Sequence, residues 1–568
     1  MLKYLKKYRY FCVLAPLFMV GEIAMDLIQP SMMATIVDQG VLKQNMDLVF
    51  HEGIRMILLV LFGGLCGILC GVFANLASQQ FANDLRKDLF ARIMNLSFEQ
   101  TDRFSTGSLI TRLASDVTQI QQMITLSMRG VVRSSIMFAG GIFMLYRQSP
   151  RFALTAACGL PPILFLVVFF LKKASPMFVT VQEKLDGVNN CLQETTVGAR
   201  VVKAYVREDH ELQRFDRAND ALCNINLRVQ SLLAFMTPCM NIILNLCVVA
   251  ILYVGGFTMR TGGDITSGRI MAAITYMSMI LHSVTFMANI FQTFTKAQAS
   301  AGRINEVLYC EEAQASGHAT ETQTTGELEF RHVSFSYPGN SQNILEDINL
   351  TVHKGETLGI IGATGSGKST LVNLIPRFYD VTGGQVLVDG VDVKEHPVQA
   401  LRERVAIVMQ KAELYSRPIE ANIRWGKKDA SLQEIKRAAE IAQADDFICR
   451  TPEGYQTMVT ESGHSLSGGQ KQRISISRAI LKDAEILIFD DATNALDLQT
   501  ESRLYQALKA ECPHATKVIV AQRIASIKNA DRIAVLDGGR IAACGTHEEL
   551  LKTSAIYRDI YDSQLKDS

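Results

Sequence analysis

Six stretches of this chain, near 11–36, 54–77, 131–147, 152–171, 231–254 and 270–292, are apolar along their length. A bilayer core of ~30 Å is crossed by about 20 helical residues, so each is a candidate span. Residues 1–310 therefore read as an α-helical polytopic membrane domain with six long transmembrane helices. The third stretch is short, and only Gln148-Ser-Pro-Arg151 separates it from the fourth, which predicts a tight helical hairpin. Lys3, Lys6, Lys7 and Arg9, with many basic residues in 78–130 and 172–230, outnumber those in the opposite connections. An excess of Lys and Arg marks the cytoplasmic side, so both termini are expected there. The segments 78–130 and 172–230 keep a helical apolar period, as in Ala82–Met94, and predict helices that continue beyond the membrane.

The mean composition, 48 % hydrophobic with a net charge of +1, averages two unlike halves. Beyond residue 326 the texture is that of a soluble α/β domain, and residues 311–325 are polar and aperiodic, as a linker is. The near-neutral charge gives no sign of a nucleic-acid partner. Twelve cysteines occur without a C-x-x-C pair. Cys66, Cys70, Cys158 and Cys247 fall within apolar runs and read as small buried hydrophobes. The basic start and first apolar run continue past Glu22 and Asp26 without an A-x-A site, so no cleavable signal peptide is expected.

The soluble half turns on Gly362-Ala-Thr-Gly-Ser-Gly-Lys-Ser369, which fills every fixed position of the phosphate-binding P-loop. Thr357–Ile361 reads as the buried strand before it, and Thr370–Ile375 as the start of the helix after it. Gly362, Gly365 and Gly367, with Ser366 between them, let backbone N–H groups close on phosphate oxygens at a helix N-terminus. Lys368 is expected to reach the β- and γ-phosphates of ATP and Ser369 to ligate Mg²⁺. Ala484–Asp491 is an apolar strand ending in two carboxylates, of which Asp490 suits Mg²⁺ held through water. Leu466-Ser-Gly-Gly-Gln470, followed by a helical run, makes a second anion site that one P-loop enzyme has no obvious need of.

These motifs together resemble an ABC exporter half-transporter: an exporter-type membrane domain fused to an α/β P-loop NTPase domain of ABC type, here residues 326–568. The LSGGQ signature between the two Walker motifs is specific to that family. The resemblance implies that Tyr337 stacks on adenine and that Gln410 links Mg²⁺ and the attacking water to the membrane domain. It further places Glu461 in the loop before the signature, and Asp497 in the loop that crosses a dimer interface. Residues 104–112 and 207–215 match coupling-helix regions. It also implies that Ser467, Gly468, Gly469 and Gln470 complete the nucleotide site of a second half-transporter, so that the chain works as a dimer.

Two positions depart from the family pattern, with Asp491 where a catalytic glutamate is usual and Gln522 where a switch histidine is usual. Aspartate is one methylene shorter, which sets its carboxylate about 1 Å back from the water it should polarise, and such a misplacement costs ~10²-fold. Glutamine donates a hydrogen bond but shuttles no proton. The expectation is a subunit of a heterodimeric bacterial multidrug or lipid-type exporter in the cytoplasmic membrane, whose own site hydrolyses slowly. A regulatory subunit that binds ATP with little turnover and an importer within the same fold stand as alternatives. Within the first span Glu22 and Asp26 share a helical face, which would suit a cationic amphiphile or a basic partner on another helix. Met19, Met25, Met236, Met240, Met277 and Met279 would suit either an adaptable hydrophobic cavity or ordinary helix packing.

Overall fold

The computed structural model describes residues 2–261, 264–310, 317, 326–340, 342–460, 463 and 465–566. The expected linker 311–325, apart from Gly317, and Glu461 lie outside the described residues. The chain divides into two compact units: Met1–Met94 with Thr106–Cys310, and Asn95–Ser105 with Glu311–Ser568.

Among the described residues of the first unit, six helices are long and apolar enough to cross a membrane: Arg9–Val41, Met46–Met94, Thr106–Gln148, Pro150–Val197, Glu208–Arg260 and one beginning at Ser267. Met46–Met94 has 49 residues and Glu208–Arg260 has 53. At 1.5 Å per residue each exceeds ~70 Å, more than twice the bilayer core. The periodic stretches flanking the spans are thus continuations of the spanning helices. The short third span is part of one such run, interrupted by π turns at Arg112–Asp116 and Ser127–Val131. The predicted hairpin is built by Ser149, whose hydroxyl accepts from the Arg151 N–H at 3.3 Å, with Pro150 in the first turn of the next helix. Proline suits that place because its missing N–H would be unpaired there anyway.

Ala15, Met19, Ile23 and Leu27, each one turn from the next, are buried in one cluster with residues of the second, third and sixth helices. Glycines set the distance. A Cβ on Gly140 would lie 2.3 Å from Leu27 Cδ1, and one on Gly141 would lie 2.7 Å from Ile280 Cγ1. Small residues that let helices approach are how packing is gained where hydrocarbon supplies no hydrophobic drive. Ile57, Leu61 and Ile68 stay more than 60 % exposed, as lipid-facing side chains do. All twelve cysteines are free; Cys66, Cys70 and Cys247 are buried, whereas Cys158 is exposed and so departs from the buried reading.

The second unit holds two sheets. Strands β1 (Leu328–Phe335), β2 (Leu345–Val352), β4 (Gly383–Val388) and β5 (Val391–Asp392) pair antiparallel in the order β2-β1-β4-β5. Strands β3 (Thr357–Gly362), β6 (Val405–Val408), β7 (Ile486–Asp490), β8 (Thr516–Val520), β9 (Arg532–Asp537) and β10 (Arg540–Gly545) form the other, in the order β10-β9-β3-β8-β7-β6. From β9 to β6 the pairing is parallel. Every residue of β7 and β8 is buried, and Ile486–Phe489 and Val518–Val520 are apolar throughout, as in strands covered on both faces.

Candidate nucleotide site

Parallel pairing brings the candidate residues to one edge. In the register Ile360 faces Val520, Asp490 faces Val520 and Val408 faces Phe489, so β3, β8, β7 and β6 end together. The P-loop leaves that edge after β3, Asp490 closes β7, Gln522 follows β8, and Gln410 follows β6 and is exposed. The carboxyl edge of a parallel sheet is where open α/β folds place ligands.

The loop's glycines are required by geometry. Gly365 and Gly367 have φ of 84° and 98°. A Cβ on Gly362 would lie 2.1 Å from the Leu536 carbonyl oxygen, and one on Gly367 2.8 Å from Leu345. Lys368 is buried and donates to the carbonyl oxygens of Gly362 and Ala363, both at 2.8 Å, so its ammonium folds over its own loop. Burial pushes that lysine below its ordinary range, opposed by the charges of Asp491 and Asp490. Ser369 donates to Asp490 at 2.9 Å, which sets the two expected Mg²⁺ ligands side by side. Burial raises the Asp490 carboxyl, opposed by that hydrogen bond. The Ser366 hydroxyl is buried without a hydrogen-bond partner. A loop with φ-positive glycines, a buried lysine, an orphaned hydroxyl and a Ser–Asp pair fits Mg-ATP, since Mg²⁺ takes few protein oxygens alongside water and phosphate.

The neighbouring end of the site differs. Asp491 adopts φ of 49°, in the left-handed region that non-glycine residues rarely enter, while its N–H donates to Val520 O at 3.1 Å. Its Oδ2 accepts from the Gln522 side-chain amide at 2.7 Å, and its Oδ1 is buried with no partner. The two residues that depart from the family pattern are thus bonded to each other.

Ser467 caps the signature helix Gly468–Leu481: its hydroxyl accepts from Gln470 N at 3.3 Å, and Gln470 Oε1 accepts from Ser467 N at 2.9 Å. A Cβ on Gly469 would lie 2.8 Å from Ala495 O, and Ala495 N donates to Gln472 at 3.1 Å. The signature therefore packs on the loop after Asp491 rather than on its own P-loop. Asp497 accepts from Thr500 N at 2.9 Å and caps the helix Leu498–Glu511. Tyr337 shares a hydrogen bond of 3.2 Å with the Thr370 hydroxyl, which puts its ring beside the P-loop helix. Sequence reasoning missed Thr493, which donates to Glu501 at 2.6 Å and meets Tyr505 at 3.3 Å beneath the same loop. Burial holds the Tyr505 phenol above its ordinary range. An i, i+8 spacing across a loop and a helix start carries no periodic signal.

In the membrane unit Arg133 donates to Glu22 at 2.6 Å and to Asp26 at 3.2 Å. The acidic face of the first span is therefore answered by a basic partner on the third helix. Nearby lies a cavity of about 1000 Å³, lined by Met19, Met137, Met279 and Phe286 on the apolar side and by Gln122, Arg129 and His282 among its polar groups. Of the six methionines singled out in the sequence, Met19 and Met279 line it, and Met19 is also buried in a packing cluster, as are Met240 and Met277.

Known proteins share this arrangement. Residues 12–284 match the ABC transporter transmembrane region and residues 345–494 match the ABC transporter family. The chain is 38 % identical over 563 residues to an uncharacterized ABC transporter ATP-binding protein, YfiB, of Bacillus subtilis, covering 99 % of this chain and 98 % of that one. It is 34 % identical to an ATP-dependent lipid A-core flippase of Syntrophus aciditrophicus, covering 93 % and 88 %. The solved structure of a bacterial Atm1-family ABC exporter with ATP bound superposes with a TM-score of 0.84 at 25 % identity, covering 98 % of both chains. With a membrane region and a nucleotide-binding domain fused in one polypeptide, the chain belongs to the ABC transporters and is a half-transporter of the exporter fold.

Proposed function

We propose that the chain is one half of a heterodimeric exporter that uses ATP to move an amphiphilic substrate, and that the ATP site built on its own Walker motifs turns over slowly. Lys368, Ser369 and Asp490 keep the groups that hold Mg-ATP; ATP supplies the phosphoanhydride whose hydrolysis drives transport. The observation that carries the slow-site reading is the 2.7 Å bond from Gln522 to Asp491. A carboxylate oxygen engaged by an amide is a weaker base toward water, and the amide so engaged is turned from a terminal phosphate. The partner subunit then supplies a glutamate and a histidine at the corresponding positions, and this chain's Ser467–Gln470 completes the partner's site. Residues 1–310 form the membrane domain and 326–568 the ATPase domain, set in the bacterial cytoplasmic membrane with both termini cytoplasmic.

An amphiphile suits the cavity because thioether and aromatic side chains face polar ones across it. The ion pair of Arg133 with both acids argues against a free cation site there, and the flippase names of several relatives agree with a lipid-like cargo. A regulatory subunit with little turnover predicts ATP binding without transport, so the two readings part in a vesicle assay. The test is to purify the assembly from its host, sequence the partner and measure nucleotide held after one turnover. One ATP retained per dimer, with Glu and His in the partner, is expected. A fully active homodimer would contradict the reading.

A further inference from the structure

The turn Arg377-Phe-Tyr-Asp380 is built under strain. Arg377 is buried yet adopts φ of 51°, and it is held there by Asp380 at 2.7 Å and by the Lys394 carbonyl at 3.2 Å. Strained residues persist only where the surroundings over-determine them, and they cluster at sites that do work. What this turn presents is a pair of aromatic rings. Phe378 stacks on Phe98 with centroids 4.0 Å apart and also carries the Arg402 guanidinium at 5.4 Å. Tyr379 stands edge-on to Tyr337 at 5.2 Å and 86°, and its hydroxyl donates to Asp102 at 2.7 Å. Burial and the Asp102 carboxylate hold that phenol well above its ordinary range, so it remains a donor at any physiological pH.

Phe98 and Asp102 lie on one short helix, Phe98–Phe104, whose capping box of Ser97 and Gln100 fixes its start. Residues 95–105 belong to the same compact unit as the ATPase fold although the chain on both sides of them belongs to the other. Tyr337 in turn is bonded to Thr370, next to the Mg²⁺ ligand Ser369. Between Tyr337, Tyr379 and Glu99 lies a cleft of about 260 Å³. One side chain therefore touches both the aromatic expected to stack on adenine and the helix that joins two membrane helices.

We propose that Tyr379 is a positioning residue that transmits base stacking on Tyr337 to the helix Phe98–Phe104 through its hydrogen bond to Asp102. An edge-on aromatic pair depends on the angle between the rings, and a base laid on Tyr337 fixes that angle. Close packing carries the change onward, because Tyr379 is tethered at its far end while the Phe98–Phe378 stack limits how that helix responds. Phosphate binding by Lys368 and the loop amides runs by a different set of contacts. The base and the phosphates thus act on the membrane half by separable routes. This rests on Tyr337 as the adenine platform and not on which subunit hydrolyses.

The test uses the full-length assembly in nanodiscs, with amide exchange read in residues 98–104 at saturating MgATP and at saturating Mg-tripolyphosphate, which has phosphates but no base. ATP should slow exchange there on the order of threefold more than tripolyphosphate does, a coupling of ordinary size. In Tyr379→Phe the ATP response should fall to the tripolyphosphate level, with ATP binding by calorimetry changed less than about twofold. Asp102→Ala, a change at an exposed side chain, should give the same loss from the other end. A residue that merely held the fold together would shift both ligands' responses alike. Equal protection by the two ligands in the unaltered protein, or an undiminished ATP response in Tyr379→Phe and Asp102→Ala, would overturn the proposal.

Discussion

The two ends of the nucleotide site sit on neighbouring strands, yet their polar groups are partnered differently. At the P-loop end, Lys368, Ser369 and Asp490 are buried or paired in ways that leave a charged phosphate well received. At the other end, Asp491 and Gln522 spend their polar groups on each other. Asp490 and Asp491 are adjacent, but one carboxylate accepts from Ser369, the expected Mg²⁺ ligand, and the other accepts from the Gln522 amide. On the proposed reading, holding a nucleotide and cleaving it are separable within one domain, so that a subunit keeps the first and leaves the second to its partner.

Four changes would sharpen or break that contrast. The largest effect is expected at the signature: Ser467→Arg or Gly468→Asp should lower steady-state ATPase of the assembly on the order of 10²-fold, since in the proposed dimer these residues complete the partner's active site. Next, Gly362→Ala should abolish MgATP retention by this chain's own site, because the added methyl has 2.1 Å of room against Leu536 O; nucleotide counting after gel filtration reads it. Lys368→Ala should weaken ATP binding at the same site by about tenfold or more while sparing much of the assembly's turnover. A smaller gain is expected for the pair Asp491→Glu with Gln522→His, which restores a base of full reach and a proton-carrying switch and should raise this site's single-turnover rate by on the order of tenfold. If the paired replacement does nothing, the bond between Asp491 and Gln522 is not what slows the site.

Much of the nucleotide half was legible because it is local. Thr357–Ile361, the glycines and Lys368–Ser369 form one continuous strand, loop and helix, and β3 with the helix Lys368–Asn373 falls where the motif puts it. The six spans were legible because continuous apolar runs of about 20 residues match a bilayer core at the rise of a helix. What stayed hidden depends on which elements become neighbours. Glu22 and Asp26 share a face by spacing alone, but Arg133, more than a hundred residues on, decides what that face does. Nothing in the order of residues links Gln522 to Asp491, or Tyr379 to Asp102; both bonds arise from sheet order and from the placement of residues 95–105 with the second unit. The left-handed backbone of Asp491 was equally silent, since aspartate gives no signal for it in an apolar strand context.

The most direct measurement is the steady-state ATPase rate of the purified assembly carrying Asp491→Asn. That change removes the carboxylate's charge but keeps its size and its place beside Gln522. If this chain's site contributes little chemistry, turnover should fall by less than about twofold while bound ATP persists. Loss of nearly all turnover with nucleotide binding preserved would show that hydrolysis runs through Asp491 itself and would contradict the unequal-site account.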